Sequence, residues 1–215
     1  MKYNAVIFDW DGTLGKTLHL WLEGYSEVLK KMGLDYPREV IIRDFFYEHD
    51  KMVLKYPVID LPVFMEQVSD YVAHHIPSLG IYEGAEEALE ELLKNNIKLT
   101  LVSSSQRRLL KEELAQHGLS NYFPIIVAGD DVMKHKPDPE PFLNVIEIAK
   151  LDPKTTIALG DSNHDIAAAK AAGIDCCLFL PPENKMFYNF DELKNSNPNY
   201  FVESLKEFTE LLKKV

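Results

Sequence analysis

The sequence predicts an α/β fold: a parallel β-sheet with helices on its faces, interrupted after the first strand by an α-helical insertion. Three observations carry that expectation. Short apolar runs recur along the chain, each stopped by a polar or glycine-containing stretch. Helical patterns lie between them, so strand and helix alternate. One long stretch, residues 17–82, holds helix-like pieces and no convincing strand run.

Taken in order, Tyr3–Phe8 is a short, partly β-branched apolar run ending at Asp9. Such a continuous run suits a strand buried on both faces. Lys98–Ser103, Ile125–Ala128, Thr156–Gly160 and Asp175–Phe179 read the same way, and Tyr200–Val202 is a sixth candidate at an edge. Between them, Gly84–Asn95 places Ala88, Leu89, Leu92 and Leu93 at helical spacing. Gln106–His117 stops at Gly118, a fitting C-terminal residue. Pro139–Lys150 begins with prolines and keeps Phe142, Val145, Ile146 and Ala149 on one face. Asn163–Ala172 ends at Gly173, and Ser204–Lys213 is the last helix.

The interrupting stretch contains Leu18–Met32, Arg38–Tyr47 and Leu61–His75 as helical pieces. A crossover between parallel strands needs far fewer residues. The expected organisation is therefore a core of residues 1–16 and 83–215 with an α-helical cap domain, residues 17–82, inserted into it. Pro181 through Pro198 reads as a long surface connection.

Composition narrows the class. The apolar fraction of 46% suits an ordinary folded protein. A net charge of −11 argues against a general nucleic-acid binder. No apolar run reaches the roughly 20 residues that span a bilayer. The N-terminal stretch meets Asp9 and Asp11 too soon for a signal peptide, so a cytoplasmic protein without membrane partners is expected. Cys176 and Cys177 are adjacent, which suits two buried strand residues better than a disulfide or a metal pair.

The chemistry gathers at strand ends. Ligands of open α/β sheets bind outside the carboxyl ends of the strands. The first strand ends in Asp9-Trp10-Asp11-Gly12-Thr13 and the second in Ser103-Ser104-Ser105. His135-Lys136-Pro137-Asp138 follows the third, and Gly160-Asp161-Ser162-Asn163-His164-Asp165 ends the fourth. Clustered carboxylates repel one another unless a cation lies among them, and hard oxygen donors suit Mg²⁺. A cation beside a lysine favours a bound phosphate dianion, which an acidic chain otherwise repels. Asp9 is placed to attack phosphorus, and Asp11 to protonate a leaving oxygen and then activate water.

These residues resemble the haloacid dehalogenase superfamily, in its phosphatase branch with an α-helical cap. Asp9-Trp10-Asp11-Gly12-Thr13-Leu14 matches the first motif, Ser103 the second, Lys136-Pro137 the third, and Gly160-Asp161-Ser162 with Asp165 the fourth. The resemblance implies a Rossmann-like core, a Mg²⁺ cofactor and a small phosphorylated metabolite as partner. It implies Asp9 as nucleophile and metal ligand, and Asp11 as acid/base whose backbone carbonyl binds the metal. Ser103 and the backbone of Ser104 would bind the phosphate, with Lys136 bridging phosphate and nucleophile. Asp161 would ligate the metal directly, and Asp165 would support Lys136 or the metal shell.

Asp11 favours phosphate esters over the dehalogenating and phosphonate-cleaving branches, which resemble this chain but lack that aspartate. Two rivals stay open: a phosphosugar mutase of the β-phosphoglucomutase type, and a non-catalytic phosphometabolite-binding protein. Mutases of the family carry a histidine at the start of the cap; His19 is near, but Trp21 takes that position. Gly15-Lys16-Thr17 departs from the acidic continuation common in relatives, so Lys16 is either a solvated hinge residue or a contact for an anionic substrate tail. Plainer readings accompany each candidate: turn residues for Asp9 and Asp11, an N-cap for Ser103, a surface charge for Lys136, a first-turn helix charge for Asp165. Trp21 and Phe45-Phe46-Tyr47 read as cap core or substrate contacts, and Arg107-Arg108 as a solvated face or an anion contact. His74-His75 has no third ligand nearby. Phosphoglycolate is the first substrate to try by resemblance; oligomeric state is not legible.

Overall fold

The computed structural model describes residues 1–46 and 49–215. Tyr47, the expected end of one helix, lies outside the described residues. In chain order the elements are β1 (Ala5–Phe8), α1 (Leu18–Lys31), α2 (Arg38–Phe45), α3 (His49–Lys55), α4 (Leu61–His75), α5 (Ala85–Lys94) and β2 (Lys98–Val102). They continue with α6 (Arg107–Gln116), β3 (Ile126–Val127), α7 (Glu140–Ala149), β4 (Thr156–Gly160), α8 (Asn163–Ala171), β5 (Asp175–Phe179), α9 (Phe190–Asn195), β6 (Tyr200–Val202) and α10 (Leu205–Lys214). Short 3₁₀ turns occupy Ile76–Ser78, Gly129–Asp131, Pro153–Thr155 and Pro182–Met186.

The six strands form one sheet, ordered β3-β2-β1-β4-β5-β6, and each pair is parallel. This is the α/β architecture the apolar runs predict and the Rossmann-like core the resemblance implies. β1 is central, and all four of its residues are buried. Its period-two alternation divides two cores. Ala5 and Ile7 join Phe142 and Val145 of α7 and Ile166 of α8 on one face. On the other, the Phe8 ring meets Phe123 and Phe208 edge-on, at centroid distances of 6.0 and 6.1 Å. Register brings the strand ends level: Phe8 is opposite both Leu101 and Leu159. The next residue of β1 is Asp9, whose N–H donates to the Leu159 carbonyl at 2.9 Å.

The chain forms two compact units, Met1–Lys16 with Gly80–Val215, and Thr17–Leu79. At the boundary, the departing and returning segments pair: Lys16 N–H donates to Gly80 O, and Tyr82 N–H to Leu14 O, both at 2.9 Å. The second unit contains α1 to α4. Its interior is aromatic, with Tyr25 stacked on Phe64 at 5.8 Å and Phe45 on Tyr56 at 4.9 Å. Phe45 is thus interior, as the plainer reading holds. Asp60 caps α4 by accepting from the Val63 N–H at 3.2 Å, with Pro62 in the first turn.

One expectation is corrected. Residues 181–198 are not a plain surface connection: they fold into the Pro182–Met186 turn and α9, and they bury Asn184, Phe187 and Leu193. Both pieces are too short to show a helical period in sequence. Helix α3 was missed for the same reason. Cys176 and Cys177 are free and buried in β5. Among the described residues, no helix is long and apolar enough to cross a membrane.

Candidate active site

The level strand ends gather a buried charged cluster. Asp9 and Asp161 are 5% and 2% exposed. Lys136 is buried between two carboxylates, its Nζ 2.7 Å from Asp9 Oδ1 and 2.7 Å from Asp165 Oδ1. It is therefore not a surface charge. Thr13 Oγ1 donates to Asp9 Oδ2 at 3.2 Å. The loop that presents Asp9 is tied to one carbonyl: the N–H groups of Thr13, Leu14 and Gly15 all point to Trp10 O, within 3.1 Å. The Trp10 indole packs so tightly over Gly15 that a Cβ there would lie 2.7 Å from Trp10 Cε2. Gly12, at φ +78°, supplies the left-handed residue that reverses this loop.

Asp11 is turned elsewhere. Its Oδ2 accepts from Ser103 Oγ at 3.2 Å and from Ser105 Oγ at 2.8 Å. Ser103 Oγ also accepts the Ser105 N–H at 3.0 Å. Ser103 is not the N-cap of α6; Gln106 occupies that position. The Ser104 side chain is exposed.

Asp165 has two tasks. Besides Lys136, it accepts from Ser162 Oγ at 2.6 Å and Ser162 N–H at 3.1 Å, closing a capping box at the start of α8. It is a first-turn helix charge and a lysine partner at once. Asp161, one residue beyond β4, accepts from Tyr188 OH at 2.8 Å.

The electrostatics show excess negative charge. Burial pushes the Asp9 carboxyl up to about 7, against the pull of Lys136, with Asp165 and Asp11 adding to the rise. Burial also raises Asp161 well above its ordinary value, helped by Asp9 and Asp165. Burial would raise Asp165 too, but Lys136 and Ser162 prevail and hold it low. For Lys136, burial pulls down, yet Asp165 and Asp9 carry its pKa above the ordinary lysine value.

This arrangement fits a hard divalent cation. Asp9, Asp161 and Asp165 offer oxygens within 4.8 Å of one another, the one such cluster among the described residues. All donors are oxygen, and one lysine faces three carboxylates. Lys136 and Ser162 engage both Asp165 oxygens, and Lys136 and Thr13 both Asp9 oxygens, whereas Asp161 accepts from Tyr188 at Oδ2.

Other candidates lie apart from this cluster. Arg107 is held by the Asp131 carboxylate and by the Ile126 carbonyl, the latter at 2.8 Å. Arg108 pairs with Glu112 at 3.5 Å. Lys16 pairs with Glu183 at 3.0 Å. His74 and His75 each bond, through Nδ1, the carbonyl four residues earlier. Thr13, Ser105, Tyr82, Asn184 and Tyr188 escaped sequence reasoning. Thr13 and Ser105 sit inside the quoted motifs and could have been found there; nothing in the sequence near Asn184 or Tyr188 signals a site.

Comparison with known proteins gives the site a family context. A family model described as haloacid dehalogenase-like hydrolase matches residues 6–179. A provisionally named pyrophosphatase PpaX of Caldanaerobacter subterraneus is 29% identical over 99% of this chain and 96% of its own. A phosphorylated carbohydrates phosphatase of Thermotoga maritima is 32% identical over 80% of this chain and 82% of its own. Among solved structures, a provisionally named phosphoglycolate phosphatase of Lactobacillus plantarum superposes with a TM-score of 0.86 at 25% identity, covering 98% of this chain and 100% of that one.

Proposed function

Since the chain belongs to the haloacid dehalogenase-like hydrolase family, we propose that it is a Mg²⁺-dependent phosphatase of small phosphomonoesters, with Asp9 as nucleophile. One observation carries the reading: Asp9 lies buried against Lys136 and among the clustered carboxylates, while its neighbour Asp11 is held apart by Ser103 and Ser105. Two carboxylates two residues apart therefore have separate environments, as nucleophile and acid/base require.

The proposed reaction has two steps. Asp9 attacks phosphorus and forms an aspartyl phosphate, while Asp11 gives its proton to the departing alkoxide. Asp11 then takes a proton from water, which attacks the same phosphorus and frees Asp9. Lys136 holds the Asp9 carboxylate in place and lies where it can meet a phosphate oxygen; Ser103 and the Ser104 backbone take other phosphate oxygens. A Mg²⁺ held by Asp9, Asp161 and the Asp11 carbonyl, when bound, supplies charge that favours the phosphoryl group in its transition state. Asp165 keeps Lys136 in place. Residues 17–79 are assigned as the cap, the element in which specificity is sought.

Relatives named for pyrophosphate and phosphorylated carbohydrates support a small phosphorylated substrate. Phosphoglycolate and hexose phosphates are the first to assay. Asp9→Asn should abolish phosphate release, and chelation should do so reversibly with added Mg²⁺. Full activity in either case sinks the mechanism. Conversion of a hexose 1-phosphate to the 6-phosphate, without free phosphate, would replace it with the mutase.

A further inference from the structure

Resting on that reading of the site, we propose that Asn184 and Tyr188 are positioning residues: the segment after β5 fastens the loop bearing Asp9 and Asp11, and orients Asp161 for its cation. Asn184 is 2% exposed and uses both ends of its amide. Its Oδ1 accepts from Tyr82 OH at 2.5 Å, and its Nδ2 donates to Gly12 O at 3.0 Å. The orientation follows from the partners. A carbonyl can only accept, and Tyr82, kept protonated by burial, donates. Asparagine satisfies both at once. An aspartate would set a carboxylate against the Gly12 carbonyl.

Tyr82 belongs to the segment on which the chain returns to this unit, and Gly12 lies in the loop between Asp11 and the departing segment. Asn184 thus ties the returning segment to that loop. Four residues on, Tyr188 OH donates to Asp161 Oδ2 at 2.8 Å. A hydrogen bond on one oxygen fixes the carboxylate plane and leaves Oδ1 to face a cation. Partners of this kind orient metal ligands and tune affinity.

These side chains are not what folds the segment. Its turn is held by backbone: Asn184 N–H donates to Pro181 O at 2.9 Å, and Asn184 O accepts from Phe187 and Tyr188 at 2.9 and 3.2 Å. The Phe187 ring is buried beside it. Replacing the Asn184 amide or the Tyr188 hydroxyl leaves those bonds and that ring in place. Glu183, in the same turn, makes a half-exposed pair with Lys16, which contributes little. It serves as a control.

The test uses the full chain and two readouts: Mg²⁺ affinity by titration calorimetry without substrate, and kcat and KM on a small phosphomonoester. Tyr188→Phe should weaken Mg²⁺ binding about 10–100-fold with the melting temperature nearly kept. Asn184→Ala and Tyr82→Phe should each lower kcat about 10–100-fold with KM within about twofold, and the double variant should fall no further than the worse single one. Glu183→Gln should change neither readout. Unchanged Mg²⁺ affinity in Tyr188→Phe, or losses that multiply in the double variant, would overturn the proposal. Calorimetry needs no turnover. A wild-type chain that binds Mg²⁺ but hydrolyses no ester would end the phosphatase reading, and Tyr188→Phe would still decide this one.

Discussion

Lys136 holds the site together as a charge. It is buried against Asp9 and Asp165, whose other side-chain donors, Thr13 and Ser162, are neutral hydroxyls. Removing one member of a buried ion pair strands the others, at a cost of about 3–5 kcal/mol. Lys136→Met should therefore lower stability by that order in chelated protein, measured by urea unfolding, and abolish phosphate release. Lys136→Arg should not restore turnover, because a planar fork does not replace a compact ammonium set between two carboxylates. Glu113 poses the opposite case. It is fully buried on α6, and among the described residues neither oxygen has a hydrogen-bond partner; the nearby Trp10 indole N–H offsets only part of that burial. Burial first, then Asp11 and Glu112, push its carboxyl up to about 9 from an ordinary 4.5. The folded chain keeps a proton that the unfolded chain loses between those values. Its contribution is full below about pH 4.5 and is lost as pH rises to about 9. Glu113→Gln should remove that slope. Its melting temperature should gain on wild type between pH 6 and pH 9, by about 2–4 °C per kcal/mol. A difference that stays constant across that range would mean that Glu113 does not titrate there.

At the scale of elements, the junction of β4 and α8 has the least room. A Cβ on Gly160 would lie 2.4 Å from Asp165 Cγ and 2.6 Å from its Cβ. The strand end can approach the capping box only without a side chain. Gly160→Ala should cost about 1–3 kcal/mol through overpacking. It should also reduce turnover, because the same carboxylate holds Lys136; a urea melt and a phosphate-release assay read the two effects. Such junctions were largely legible beforehand. Apolar runs such as Thr156–Gly160 end in charged residues that no core would accept, so the strand and the start of the site are read together. What stayed hidden has a physical cause. Asn184 and Tyr188 lie in a 3₁₀ turn and a connector, where no period marks a buried face. Their partners are a carbonyl and a carboxylate far away in sequence, so nothing local distinguishes them from loop polar groups. Asp165 was ambiguous in sequence because its capping and lysine-holding tasks call for the same residue type.

For the whole molecule, the question is what each unit needs from the other. The chain departs after Lys16 and returns at Gly80, and those two residues are hydrogen-bonded at 2.9 Å. Residues 17–79 therefore close on a gap that a few flexible residues can bridge, and replacing a long connection with a short one carries little closure cost. The sheet, its two faces of helices and the Asp9-Lys136-Asp165-Asp161 cluster all come from the remaining residues. A chain in which a short Gly-Ser linker replaces residues 17–79 should fold cooperatively and keep Mg²⁺ affinity within about tenfold, measured by calorimetry. Its kcat/KM should fall on preferred esters and level out across a substrate panel, because specificity is assigned to the removed unit. If the shortened chain keeps the parent's substrate ranking, specificity lies in the sheet unit. Loss of Mg²⁺ binding in a folded, shortened chain would instead show that the carboxylate cluster depends on residues 17–79 for its geometry.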